Sequence, residues 1–399
     1  LSEGAIQAAE FAVWMQEFEP FPADDADYPI AVAVSGGADS LCLAWLARRW
    51  RRHVVGLIVD HGLRAESSDE AHRTAAVLDG FGMASRVLPL TGLRRDGGLQ
   101  EGARAARYRA LTRACREAGC LDLLIGHHAG DQAETVAMRQ RAGSSAYGLA
   151  GMATCRELAD LRLLRPLLRV SSARLRVTLR EAGIAWAEDP SNQNRQFERV
   201  RVRQSLGTQD VSALCHMAGA HARERQEDEA CRLEEAAERI VFHPGGFFLL
   251  PADLCGPVLL GLLWQVLSGR AYPPARRIMS ALLKMPKACT LHGVTLRKAG
   301  RLGPGWVLCR EAQAMESAVQ AVDGAIWDGR WQLRSAGTAT GMVVSAVGHD
   351  GGNTGLPFAV RRTLPALRAV SGAAPHDARF DFIRPMAVFS GSFWSLAAQ

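Results

Sequence analysis

The sequence predicts an α/β protein: a parallel sheet with helices on both faces, followed by smaller helical and β-rich parts. Three observations carry this. Short apolar, β-favouring runs alternate with amphipathic helical stretches from residue 30 to residue 141. Such alternation is the signature of strands that pair in parallel through crossover helices. The first of these strands stops at a Gly-rich turn, Ser35-Gly36-Gly37, that opens directly into a helix. In sheets of this kind, ligands sit at the carboxyl ends of the strands near the point where strand order reverses.

The elements follow in order. Residues 5–18 carry Phe11, Trp14, Met15 and Phe18 at helical spacing. A strand at 30–34, "IAVAV", leads to a helix at about 39–51. A strand at 53–59, "HVVGLIV", leads to a helix at about 66–81. A strand at 84–89 precedes a helix at 99–118, and "LDLLI" at 121–125 precedes a helix at 131–141. This series is Rossmann-like. The Gly/Ser-rich loop 143–151 is followed by an edge strand within "ELADLRLLRPLL" and a helix at 171–182. Residues 209–240 are charged and helical, and 241–310 suggest a small α/β module. Beyond 316 the chain is Gly/Ala-rich with strand-like pieces such as "GRWQLRS" and "GMVVSAV". The expected domains are 1–205, 206–312 and 313–399.

Composition narrows the class. With 48% hydrophobic and 22% charged residues the chain reads as globular, and no apolar run approaches the ~20 residues of a membrane span. The first twenty residues carry acids where a secretory leader is basic, so a cytoplasmic protein with no membrane partner is expected. The nine cysteines form no C-x-x-C pair, which argues against a disulfide framework or a zinc site and for small buried hydrophobes. The formal charge is +6, and Lys284, Lys287 and Lys298 are the only lysines. Arginine therefore supplies nearly all the positive charge.

"SGGADS", residues 35–40, is the first stretch that carries chemistry. Gly36 and Gly37 let the backbone approach a ligand and adopt positive φ. The N–H groups of the turn and of the helix start then face an anion. Asp39 stands where the usual triphosphate loop has a lysine. A carboxylate there could hold a Mg²⁺ that bridges phosphates, or cap the helix.

This SGG-x-DS turn at the end of a first parallel strand resembles the PP-loop of the N-type ATP pyrophosphatases. Further motifs follow in register: "VDHGLR" at 59–64, "GHHAGDQAET" at 126–135, "AGSSAYGLAGM", "LLRPLL" at 163–168 and "EDPSNQNRQFERVRVR" at 188–203. In this order they resemble the tRNA(Ile)-lysidine synthase family, well over residues 28–205 and loosely over 210–310. The resemblance implies a ligase that uses ATP and Mg²⁺. Such an enzyme adenylates C2 of the wobble cytidine in the CAU anticodon of tRNA(Ile), and free L-lysine then displaces AMP. It also explains the acid in the loop. A loop that grips departing pyrophosphate has no need of the lysine that steers γ-phosphoryl transfer.

Carried onto this sequence, the resemblance assigns ATP to Ser35, Gly36, Gly37, Ala38, Asp39, Ser40, Asp60 and His61, with Arg64 nearby and Asp39 as the metal ligand. Asp131 and Glu134 lie three apart on one helical face. They could receive an ammonium group of lysine or a metal, or serve as helix N-terminal acids. His128, or its neighbour His127, could contact phosphates or carry a proton. Arg104, on a stripe with Glu101, Ala105 and Tyr108 and beside Arg107, resembles the family arginine that stabilises charge as AMP leaves. Arg195, Arg199, Arg201 and Arg203 around Phe197 suit a tRNA backbone and a splayed nucleotide. The protein is expected to be a monomer or homodimer, with its C-terminal region on the tRNA body.

Three positions depart from the family pattern: Gly130 replaces an acid, Ala142-Gly143-Ser144-Ser145 replaces an Arg-Gly-Ser-Gly loop, and Asn194 replaces an acid. The nearest alternative is a PP-loop thiolase acting on cytidine or uridine in tRNA, which commonly needs paired cysteines. A small-molecule ligase and a non-catalytic tRNA-binding relative are the others.

Overall fold

The computed structural model describes residues 4–60, 62, 67–90, 99–158, 161–187, 198–270, 272–334, 341–349, 355–369 and 380–382, with the backbone alone at 99–103 and 105. Two compact units are present, Leu1–Gln226 and Glu227–Gln399.

The first unit opens with α1 (Ala8–Gln16). Then come β1 (Ile30–Val34), α2 (Ala38–Trp50), β2 (Val54–Asp60), α3 (Ser67–Gly80), β3 (Ala84–Pro89), α4 (Leu99–Glu117), β4 (Asp122–Ile125) and α5 (Ala129–Arg141). A short α6 (Ala146–Leu149) precedes β5 (Cys155–Glu157) and β6 (Arg162–Leu164). Helices α7 (Ser172–Glu181) and α8 (Glu198–Ser205) follow, and α9 (Thr208–Arg239) begins in this unit and ends in the second.

The six strands form one sheet in the order β3-β2-β1-β4-β6-β5, parallel except for the antiparallel β5. The expected edge strand is thus a pair. Residues 162–164 lie inside the sheet against β4, and 155–157 form the edge. The reason is the "LRLL" run, which is apolar enough to be covered on both faces; Leu163 and Leu164 are 1% and 0% exposed.

Strand β1 is buried along its whole length and divides its side chains by the period of two. Ile30, Val32 and Val34 enter one core with Leu41, Leu43 and Leu46 of α2, Leu175 and Leu179 of α7, and Phe11 and Met15 of α1. Ala31 and Ala33 enter the other with Leu111, Ala114 and Cys115 of α4. Alanines on that side let α4 lie close to the sheet. The chain order reverses between β1 and β4, so their carboxyl ends open the crevice in which such folds place ligands.

The second unit pairs its strands antiparallel throughout. Its five-stranded sheet joins β7 (Val241–His243), β8 (Phe247–Leu250), β9 (Cys289–Leu291), β10 (Val294–Lys298) and β11 (Trp306–Arg310) in the order β7-β8-β11-β10-β9. Two helices, α10 (Pro257–Ser268) and α11 (Arg276–Lys284), lie between β8 and β9 in sequence. Helix α10 begins on Pro257 at N1 and ends at Gly269 in the left-handed region, φ 73°. It buries Leu259, Leu263, Trp264 and Leu267, and Trp264 Nε1 donates to the Leu291 carbonyl at 2.7 Å. Two three-stranded sheets complete the unit, including residues 331–333 and 342–346, where strand-like pieces were expected.

Five of the nine cysteines are buried and all are free thiols. Burial pushes Cys42 and Cys255 up to about 12. No helix of the described residues is long and apolar enough to cross a membrane.

Candidate active site

The turn after β1 is held by its own hydroxyls. Ser40 Oγ donates to the Gly37 carbonyl at 3.0 Å and accepts the Ser35 N–H at 3.1 Å. The two glycines expected at positive φ divide the work. Gly36 adopts φ +82°, while Gly37 is extended at φ −77° as the N-cap of α2. A Cβ on Gly36 would lie 2.5 Å from Thr74 Oγ1, whereas one on Gly37 would meet only Ser35 Oγ at 3.8 Å. Gly36→Ala is therefore expected to cost about 2 kcal/mol and to weaken ATP binding. Gly37→Ala, at the N-cap, should cost less, about 0.5–1 kcal/mol. Thermal melts with and without ATP check both.

Asp39 sits in the first turn of α2. Gly37 is the cap, so Asp39 does not take the capping role. Its Oδ1 is buried without a hydrogen-bond partner. Burial pushes its carboxyl above the ordinary range, with Asp131 adding to the rise and His128 opposing it. Gly126, at the end of β4, makes this approach possible, because a Cβ there would lie 3.1 Å from the Asp39 carbonyl group.

At the end of β4, His128 caps α5. Its Nδ1 accepts the Gly130 N–H at 2.9 Å, and its own N–H donates to Asp131 Oδ2 at 3.1 Å. Nε2 lies 3.6 Å from Asp39 Oδ2 and 3.6 Å from Asp131 Oδ2. Asp131 is thus a first-turn acid of α5 whose carboxylate also faces the His128 ring. Burial alone would raise its pKa, but His128 and Arg199 hold it below the usual value.

The structure brings Arg199 and Arg203 of α8 onto the acids of α5. Arg199 Nε donates to Glu134 Oε2 at 2.7 Å and its Nη2 to Asp131 Oδ1 at 2.9 Å. Arg203 Nε reaches Glu134 Oε1 at 2.5 Å and its Nη2 reaches Oε2 at 3.3 Å, a two-pronged grip. Glu134 is 2% exposed, and both of its carboxylate oxygens are held by these arginines. Arg201 is exposed. His61, Arg64 and Arg195 lie outside the described residues. Asp60, at the end of β2, accepts hydrogen bonds from the Gly62 N–H at 3.0 Å and from Ser67 Oγ. Arg104 lies over the Tyr108 ring at 5.1 Å and acts on His127 through charge.

Arg165, in "LLRPLL", had been given no role. It is 7% exposed, and its Nε donates to His127 Nδ1 at 3.1 Å while Nη1 donates to the Ala153 carbonyl at 2.8 Å. Nothing local marks it, since its partner lies on another strand end. Gln132 and Arg139 were missed likewise. Gln132 exchanges two hydrogen bonds with Met152, and Arg139 binds the carbonyls of Gly148 and Gly151, fixing the loop after α5.

Burial, aided by Arg165, Arg199 and Arg104 and opposed by Asp131, pushes the His127 imidazole down to about 4. An unfolded histidine titrates near ~6.5. Between about 6.5 and about 4 the unfolded chain takes up a proton that the folded chain refuses, so stability falls with pH across that window. The ring is half-buried, so the expected loss is about 1 kcal/mol. His127→Asn should flatten that part of the profile in urea titrations.

No group of three or more His, Cys, Asp or Glu among the described residues is placed to hold a metal by itself. The orphaned Asp39 oxygen, with Asp131 nearby, does suit a hard cation completed by phosphate oxygens and water.

A family model described as a PP-loop domain matches residues 12–210. A tRNA(Ile)-lysidine synthase of Ruegeria pomeroyi is 35% identical over 363 residues, covering 85% of this chain and 85% of that protein. One from a Bradyrhizobium species is 39% identical over 255 residues, covering 56% of this chain and 70% of that protein. Among solved structures, a U34-tRNA thiolase of Methanococcus maripaludis is similar with a TM-score of 0.45 at 15% identity, over 54% of this chain and 78% of that one.

Proposed function

The chain belongs to the tRNA(Ile)-lysidine synthase family of PP-loop, ATP-using tRNA-modifying ligases, and from that premise we propose that it joins lysine to C2 of the wobble cytidine in the CAU anticodon of tRNA(Ile). One observation supports this most: Asp39, His128 and Asp131 converge beside the Gly-rich turn, at the switch point between β1 and β4, with Glu134 joined to Asp131 through Arg199.

The reaction has two steps. The cytosine O2 attacks the α-phosphorus of ATP, the bond to the bridging oxygen breaks, and pyrophosphate leaves. The lysine amine then attacks C2. The C2–O bond breaks, AMP departs with that oxygen, and the amine loses a proton. The backbone N–H groups of residues 36–40 hold the polyphosphate, and Asp60 lies where the ribose would sit. Mg²⁺, held through Asp39, would neutralise charge on the phosphates. His128 Nε2 and Arg104 offer donors to the phosphate of the leaving AMP.

Asp131 and Glu134 are the acceptors for a substrate ammonium. Arg199 and Arg203 hold the same oxygens, so lysine must compete with them. Incubating tRNA with ATP labelled at the α-phosphate tests the first step. Without lysine, label should enter tRNA; with lysine it should leave as AMP. Label that never enters tRNA contradicts the scheme.

The catalytic role falls to 1–205 and tRNA-body contacts to 206–312 and 313–399. Support comes from residues 254–310, which carry nine cations and no acid, including all three lysines of the chain. Arg276, Arg277, Lys284 and Lys287, on or just after α11, are exposed. Reversing Arg276, Arg277 and Lys284 to Glu should weaken tRNA binding. It should also lower the slope of log affinity against log salt by roughly 0.7–0.9 per lost phosphate contact. ATP binding should be unchanged. Filter binding across a salt series reads this.

A further inference from the structure

Gly130 stands where the family resemblance leads one to expect an acid, which reads at first as a missing carboxylate. The geometry gives the glycine a task of its own. Its N–H donates into His128 Nδ1 at 2.9 Å. A ring nitrogen that accepts a hydrogen bond carries no proton, so the neutral ring carries its hydrogen on Nε2. That Nε2–H lies 3.6 Å from one oxygen of each of Asp39 and Asp131. The ring folds back over the start of α5 and is 8% exposed.

Such a fold-back needs an empty position at 130. A Cβ there would lie 2.7 Å from His128 Cε1 and 3.0 Å from Nδ1. The backbone does not ask for glycine, because Gly130 is not among the residues at positive φ. It is the second residue of a 13-residue helix, where alanine is the better helix former by about 0.5–1 kcal/mol. The space taken by the imidazole is what glycine supplies.

We propose that Gly130 is a positioning residue. It admits the His128 ring and fixes it as an Nε2–H donor aimed between Asp39 and Asp131. In that tautomer His128 supplies a hydrogen bond to the phosphate chemistry, and its Nδ1 is not available as a base. A side chain at 130 turns the ring away. This rests on the reading of the site given above.

The test uses the full chain and the variants Gly130→Ala, His128→Asn and both together. Ring-nitrogen NMR of histidine-labelled protein in mildly alkaline buffer should show, among the signals of the eleven histidines, a ring fixed wholly as Nε2–H with a hydrogen-bonded Nδ1, whose signals disappear in His128→Asn. Gly130→Ala should lose that pattern too, yet remain folded, because alanine's helix preference offsets part of the lost cap. Its kcat for tRNA-dependent pyrophosphate release should fall by roughly 10²-fold, with KM for tRNA unchanged. In the His128→Asn background the same change should add less than about twofold. The proposal is overturned if Gly130→Ala keeps the Nε2–H pattern, if kcat stays within about threefold of wild type, or if the two losses multiply. A wild-type chain that releases pyrophosphate but makes no lysidine refutes the proposed function and leaves this cycle readable. One that releases none leaves the NMR comparison to decide.

Discussion

Asp39→Asn is expected to lower tRNA-dependent pyrophosphate release by about 10³-fold while leaving the protein at least as stable as before. The two effects have opposite signs for one reason. Asp39 Oδ1 is buried with no hydrogen-bond partner, and burial pushes the carboxyl upward. Its negative charge therefore opposes folding near neutral pH, and an isosteric amide removes that cost. In the proposed reaction the charge would be needed to hold a cation that neutralises the phosphates. A residue that destabilises the fold and serves the chemistry should show activity and melting temperature moving apart. Activity within about threefold of wild type would remove Asp39 from the site.

Asp328→Ala is expected to have the largest effect on folding, about 3–5 kcal/mol in the second unit. Asp328 is fully buried between Arg310 and Arg330, which are 9% and 1% exposed. It accepts from Arg310 Nε and Nη2 at 3.1 Å each and from Arg330 Nε at 2.7 Å. The Glu316 N–H also donates to it, at 3.2 Å. Burial would raise its pKa, but Arg310 and Arg330 outweigh that and hold it low. Removing the acid leaves two guanidiniums in an interior that solvent cannot reach. Asp328 also adopts φ +49°, where alanine has no local hydrogen bond to offset the strain. Denaturant titration should show an early transition. A loss under about 1 kcal/mol would contradict this account of the triad.

The sheet was legible because its strands are buried along their length and punctuated by turns. The strands at 30–34 and 84–89 have the bounds expected of them. The pair at 155–157 and 162–164 was read as one edge strand because an apolar run does not reveal how many neighbours it has. In the candidate site, the Gly-rich turn and the acids of α5 stand out by spacing. The partnership of Arg199 and Arg203 with Glu134 does not, since each pair is regular within its own helix and the two helices are more than fifty residues apart. Arginines beside an aromatic read as an RNA surface, and the sequence does not show that two of them, Arg199 and Arg203, also pair with carboxylates. Gly130 shows the same limit. Sequence records the side chain that is missing, while the imidazole that fills its place is visible only in three dimensions.

The protein is incubated with a tRNA(Ile) transcript bearing CAU, together with ATP, Mg²⁺ and lysine. The RNA is then digested and its nucleosides weighed by mass spectrometry. Lysidine should replace cytidine at the wobble position, and only when both ATP and lysine are present. An unchanged cytidine, with a known synthase active on the same transcript, would contradict the proposed reaction.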